Sequence, residues 1–345
     1  MCSCPLRVQP TFQSGATPSP TTHLRCAALL LVVSVLSLIP VAFACAESWP
    51  TRPILMTVIG TPGSTPDVIA RELGERVGRA LGQPIIIENQ GASGGIVGMD
   101  QVRRAPADGY RFAFSHLTAI VVNPALFKSL PYDPVRDFEP VSLLVSGPFI
   151  LVVTPKLGVV SVDQLVQLTR TKPGTLFYGS TGIATPSNIF FEQFKSATRI
   201  SIDGVPFKGP PGLMLALQTD EVPLGMEGYQ ALLPLLSSGK VRPLAVTGDT
   251  RMAVLPDVPT FKELGIPGIG VSWMAVLAPK GTPPAIITSM QRELARAVTS
   301  PDLRHAYEAL GRQVIASSPD ELAARIRSEL PHWREVIRRT GVKIE

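Results

Sequence analysis

The stretch Met56–Arg71, MTVIGTPGSTPDVIAR, restricts the possible folds more than any other part of the chain. Ile54 to Ile59 is an apolar run of strand composition, and Gly60-Thr61-Pro62-Gly63-Ser64 breaks it. Beyond the break, Ile69, Leu73, Val77 and Ala80 recur at helical spacing. Thr65 reads as the N-cap and Pro66 as the first helical residue. A strand that feeds a helix through small residues aims free backbone N–H groups and a positive dipole end at one point. Such a point binds an anion without help from Arg or Lys. The same punctuation returns further on. Leu176 to Gly179 reads as a strand, Ser180-Thr181-Gly182-Ile183-Ala184 as a small-residue loop, and Thr185-Pro186-Ser187 as the start of an amphipathic stretch. Either loop alone is an ordinary turn of an α/β protein; as a pair on two domains they would clamp one small anion.

The first part of the 345-residue chain reads as a leader rather than domain. Leu24 to Val41 is apolar, Arg25 stands at its start, and Ala42-Phe43-Ala44-Cys45-Ala46 offers small residues for cleavage. Residues 1–46 are therefore expected to be a signal peptide with a long n-region, and secretion follows. A lipid anchor on Cys45 is the competing reading. All four cysteines, Cys2, Cys4, Cys26 and Cys45, lie in this segment. A chain cut after Ala46 has no disulfide framework, thiol nucleophile or cysteine-based metal site. Without Arg7 and Arg25, 30 of the 32 basic residues remain against 27 acidic ones, a net of +3. Those charges are interspersed, so nucleic acid is not an expected partner.

Roughly 300 residues exceed one core, so two domains are expected. Strands and helices alternate along the chain, which predicts an α/β fold with mostly parallel sheets. Val141 to Val145 and Phe149 to Val153 are apolar strands separated by Ser146-Gly147-Pro148, where the chain is expected to cross between domains. Val271 to Leu277 carries it back. The first domain is then discontinuous, residues 47–145 plus 272–345, and the second spans 146–271.

Little in the chain points to catalysis. His116, His305 and His332 have no paired spacing, so neither a metal nor any other cofactor is expected. Tyr178-Gly179-Ser180-Thr181-Gly182 lacks the glycine offset of a nucleophile elbow. Asn89 to Gly98, NQGASGGIVG, departs from the dinucleotide fingerprint; it either brings backbone close to a small ligand or packs helix on sheet. Ser115 and Thr118 close a strand at its carboxyl edge, where open α/β sheets place ligands. Asp67 and Glu227 are the carboxylates assigned to the cleft. Asp67 is equally an ordinary first-turn acid opposing the helix dipole.

With these residues in order, the chain resembles the periplasmic receptors of tripartite tricarboxylate transporters, the Bug receptors. The matching residues include Trp49-Pro50-Thr51-Arg52-Pro53-Ile54, Pro62-Gly63-Ser64-Thr65-Pro66-Asp67, Glu88-Asn89 with Gly94-Gly95, and Ala107-Asp108-Gly109-Tyr110. Leu130-Pro131-Tyr132-Asp133-Pro134, Val205-Pro206-Phe207-Lys208-Gly209, Leu255-Pro256-Asp257-Val258-Pro259-Thr260 and Ala278-Pro279-Lys280-Gly281-Thr282-Pro283 extend the match. The resemblance implies a two-domain flytrap that captures a small carboxylate and hands it to membrane transporter subunits, without catalysis, as a monomer. By position it puts Gly63, Ser64, Thr65 and Asp67 on one side, with Ala92, Ser93, Gly94 and Gly95 below. Ser180, Thr181 and Thr185 face them. Ser64 and Pro66 depart from the family pattern, and Pro66 removes one backbone donor. Glu227 is a further departure; it disfavours a second anionic end and favours a monocarboxylate or amino-acid-like ligand. An enzyme on the same fold, or a sensor partner of a membrane kinase, are the alternatives.

Overall fold

Two β-sheets organise the protein, and each is assembled from strands whose buried faces the apolar runs foreshadow. The computed structural model describes residues 49–340, except Pro173 and Pro267, together with Gly15. The expected leader and its Cys45 lie outside the described residues. In chain order the elements are β1 (Ile54–Val58), α1 (Thr65–Leu81), β2 (Ile85–Asn89), a 3-10 turn (Ala92–Gly95), α2 (Ile96–Arg103) and β3 (Arg111–His116). A π-helical turn (Thr118–Val122) leads into α3 (Asn123–Leu126), then β4 (Phe138–Gly147) and β5 (Phe149–Val153). Next come α4 (Val162–Thr171), β6 (Phe177–Ser180), α5 (Pro186–Thr198), β7 (Asp203–Pro206), α6 (Gly209–Gln218), β8 (Leu224–Gly228), α7 (Tyr229–Ser237) and β9 (Arg242–Val246). The chain ends with β10 (Ser272–Pro279), α8 (Pro284–Val298), α9 (Pro301–Ala309), β11 (Gln313–Val314) and α10 (Pro319–Thr340).

The six-stranded sheet has the order β11-β4-β10-β3-β1-β2, and the five-stranded sheet β7-β6-β8-β5-β9. The expected predominance of parallel pairs does not hold. β1 runs parallel to β2 and β3, and β6 to β7 and β8. Around β10 and β5, however, every pairing is antiparallel. The cause is the crossing itself. β4 ends at Gly147, Pro148 follows, and β5 starts at once in the other sheet. The return through β10 arrives from that other sheet rather than through a helical crossover, so it runs against its neighbours.

Helix α1 packs Ile69, Leu73 and Val77 onto Ile54, Met56 and Val58 of β1, all of them buried. Its N-cap is Ser64, one residue earlier than the sequence suggests: Ser64 is extended (φ −72°, ψ 161°), and Val68 N donates to Ser64 O at 3.0 Å. Pro66 then occupies the second helical position, where a missing N–H is equally harmless. A second apolar cluster joins residues of both sheets. It includes Leu143, Ala275 and Leu277 with Leu151, Val153 and Phe190, and Trp333 of α10 lies 6.4 Å from Phe190 between ring centroids. Trp273 belongs to this core; its Nε1 donates to Glu329 at 3.0 Å, so it packs rather than stacking on a ligand.

Candidate functional site

The loops after β1 and β6 open into one cavity of about 160 Å³, walled by residues from both sheets. Pockets for drug-sized ligands run to roughly 300–1,000 Å³, so this space suits a small molecule. Ser64 and Thr65 line it from one side, Thr181, Thr185 and Glu227 from the other, and Gly94 contributes from the 3-10 turn that also carries Ser93. The two lips are close. A Cβ on Gly94 would sit 3.5 Å from Ala184 Cβ, and one on Gly209 would sit 3.3 Å from Thr61 Oγ1.

The first lip is held from behind. Gly63 takes a left-handed turn (φ +75°) and donates its N–H to Asp67 Oδ2 at 2.8 Å. Asn89 Nδ2 donates to Asp67 Oδ1 at 2.9 Å, and Arg71 pairs with the same oxygen at 3.0 Å. Burial alone raises the Asp67 pKa, but the bonds from Arg71, Gly63 and Asn89 outweigh it and hold the carboxyl below the usual range. Asp67 and Gly63 are therefore absent from the cavity wall; the carboxylate curls back to satisfy its own loop. Ser64 Oγ donates to Thr61 O at 2.6 Å, so its hydroxyl proton is engaged within the loop.

The second lip is built from neutral groups. Thr185 caps α5, its Oγ1 accepting from Asn188 N at 3.4 Å and donating to Gly182 O at 2.8 Å. Thr181 Oγ1 donates to Thr185 Oγ1 at 3.2 Å. Ser187 Oγ receives Thr181 N–H at 3.4 Å and donates to Met226 O at 2.6 Å, which fixes the lip to β8. At the end of β8, Glu227 is 7 % exposed. Burial pushes its carboxyl up to about 7, only partly offset by the N–H of Gly228 at 2.9 Å.

Several expected positions are displaced by a register of one residue. Ser115 is fully buried in β3 with an unpartnered Oγ, whereas His116 lines the cavity. Successive side chains of a strand point to opposite faces, so only one of the two can reach the cleft. Thr118 stands behind His116, its Oγ1 2.9 Å from Nδ1, and burial pushes the imidazole down to about 4. Ser180 is a buried end of β6 rather than part of the loop, because that strand runs one residue further than its composition indicates. Ala92 and Gly95 do not reach the wall; Gly95 (φ +84°) leaves no room for a side chain, since a Cβ would fall 2.1 Å from Ile59 Cγ2.

The structure also brings in residues that the sequence did not mark. Gly209 and Pro210 open α6 beside Thr61, a third small-residue turn that the pattern of the first two could have flagged. Gln230 enters from α7 and Arg312 from the segment after α9. The Arg312 guanidinium donates to Gln230 Oε1 and, at 3.5 Å, to Thr65 Oγ1. The cavity wall is thus not free of arginine. Nothing local in Leu310-Gly311-Arg312 signals this role. Among the described residues no group of three or more His, Cys, Asp or Glu could hold a metal ion, and no helix is long and apolar enough to cross a membrane.

Compared with known families, residues 69–342 match the tripartite tricarboxylate transporter family receptor. Protein BugT of Bordetella pertussis is 34% identical over 302 residues, covering 87% of this chain and 93% of BugT. Among solved structures, Rpa4515 of R. palustris with adipate is 33% identical with a TM-score of 0.80, covering 86% of this chain and 99% of that one. MatC from Rhodopseudomonas palustris with bound malate is 29% identical with a TM-score of 0.79, covering 84% and 100%.

Proposed function

Because the chain belongs to the tripartite tricarboxylate transporter receptor family, we propose that it captures a small carboxylate between its two sheets and delivers it to membrane subunits of such a transporter. The observation that carries this reading is the shared cavity: lips from separate sheets, Ser64–Thr65 and Thr181–Thr185, wall the same 160 Å³. Residues 47–145 plus 272–345 form one lobe and residues 146–271 the other, and the ligand stabilises their approach by touching both. The protein acts as a monomer in the periplasm, exported by its leader, and turns nothing over. Within the cleft, first-turn N–H groups of α1 and α5 and the Thr65, Thr181 and Thr185 hydroxyls meet the ligand, while Gly63, Asp67 and Thr118 support them from behind.

The ligand is a monocarboxylate or amino-acid-like molecule. Supporting this, Glu227 is buried with no cation among its partners, so its ionised form repels a second carboxylate and its acceptor oxygens suit an amine or hydroxyl. A thermal-shift screen with butyrate, L-glutamate, L-malate and adipate tests both parts. At ~100-fold excess over Kd, a ligand that binds only the native state adds about 2.7 kcal/mol of stability. A melting temperature unmoved by every carboxylate ends the reading; a response to malate or adipate alone ends the narrower ligand class.

A further inference from the structure

The cleft contains a cation that, among the described residues, forms no ion pair. Arg312 is half-buried, and its partners are neutral: Gln230 Oε1, Thr65 Oγ1 and, 5.9 Å away, the ring of Tyr307. Among the described residues it has no carboxylate partner. Glu72 influences it only from a distance, its carboxylate accepting the Tyr307 hydroxyl at 2.8 Å. Other partly buried arginines are treated differently. Arg111 meets Glu88 at 2.7 Å, and Arg103 meets Asp100 at 2.8 Å. A guanidinium has five N–H donors, and removing it from water without an anion is costly. Its planar fork matches a carboxylate in bidentate fashion.

Its placement is held by backbone. Gly311 (φ +69°) turns the chain where a Cβ would fall 2.0 Å from Met252 Cε, and Arg312 N donates to Tyr307 O at 2.9 Å. The Arg312 Cγ lies 3.4 Å from where a Cβ on Gly147 would be, at the crossing between the sheets. Thr65 belongs to the first sheet's side and Gln230 to the second's, so one guanidinium touches both walls.

We propose that Arg312 is the specificity-determining cation of this cleft: it seats one carboxylate of the ligand and, through Gln230, couples that seating to the approach of the two sheets. The inference rests on the carboxylate-receptor reading above and adds the charge that the lips alone lack. Calorimetric titration of the wild type, Arg312→Lys, Arg312→Gln and Gln230→Ala with butyrate, L-glutamate, L-malate and adipate tests it, with circular dichroism melts showing that each variant is folded. For whichever acid the wild type binds, Arg312→Gln weakens affinity by about 30-fold or more, because a half-buried charge partner is lost. Arg312→Lys weakens it less, since the charge stays and only the fork is lost. Gln230→Ala, which removes only the cross-cleft bond, changes affinity by less than about 5-fold. Equal affinity in Arg312→Gln and wild type overturns the inference alone. A loss in Gln230→Ala matching that in Arg312→Gln reduces Arg312 to a latch and overturns it also. A wild type that binds none of the acids removes the functional reading, and the inference with it.

Discussion

The two lips look alike in sequence and are supported by opposite electrostatics. Each lobe places one buried carboxylate beside its lip. Behind the first, Asp67 is surrounded by donors and held below the usual carboxylate range; beside the second, Glu227 meets few donors and is pushed up to about 7. Burial acts on both in the same direction. What separates them is the Arg71 guanidinium and the Asn89 amide, which reach Asp67 and have no counterpart at Glu227. A small-residue turn before a helix thus states where backbone donors point, but not whether the nearby acid is a brace or a group free to meet a ligand.

This contrast can be broken most severely at Asp67. Asp67→Ala deletes an acceptor of three donors and leaves the Gly63 N–H and the Asn89 amide without it. The expected loss is about 3 kcal/mol of stability, seen as a fall of roughly 5–10 °C in melting temperature, with ligand affinity lost alongside. Acid should mimic the change: because the native pKa is depressed, this contribution is present above the ordinary carboxylate range and lost as pH falls through the lowered value.

Glu227 should respond in the opposite sense. Its raised value means the native state binds a proton more readily than the unfolded chain. Stability therefore declines as pH rises from about 4.5 to about 7 and levels off above. Melting curves of wild type and Glu227→Gln across that window should diverge by on the order of 2 kcal/mol at the alkaline end, with the variant flatter. Equal slopes would mean that Glu227 is better solvated than its burial implies.

The smallest effect belongs to the neutral lip. Thr185→Ala removes the N-cap of α5 and the bond to Gly182 O, and should cost about 1 kcal/mol in urea unfolding. A cost equal to that of Asp67→Ala would erase the distinction between a charged brace and a hydroxyl relay.

How much of the site is legible beforehand depends on the range of the forces involved. Ser64, Thr65, Thr181 and Thr185 are readable because strand, turn and helix N-terminus are contiguous, and local backbone geometry aims them. Ser115 and Ser180 are buried for equally local reasons: Ser115 faces the opposite side of β3 from His116, and β6 runs one residue further than its composition indicates. His116, not Ser115, reaches the cavity on that account. The antiparallel pairings of β10 were not legible either, since composition is silent on the direction from which a returning strand arrives.

By itself the chain's pattern determined the alternation of elements, the pair of glycine-punctuated lips and the family. Hydrophobic period, turn chemistry and motif spacing are properties of neighbours in sequence, and they survive reading one residue at a time. Only the tertiary structure decided which acid is paired and which is not, and that Arg312, far along the chain from either lip, stands between Thr65 and Gln230. Charge, burial and cavity shape depend on distances through space, and those exist only once both sheets are packed.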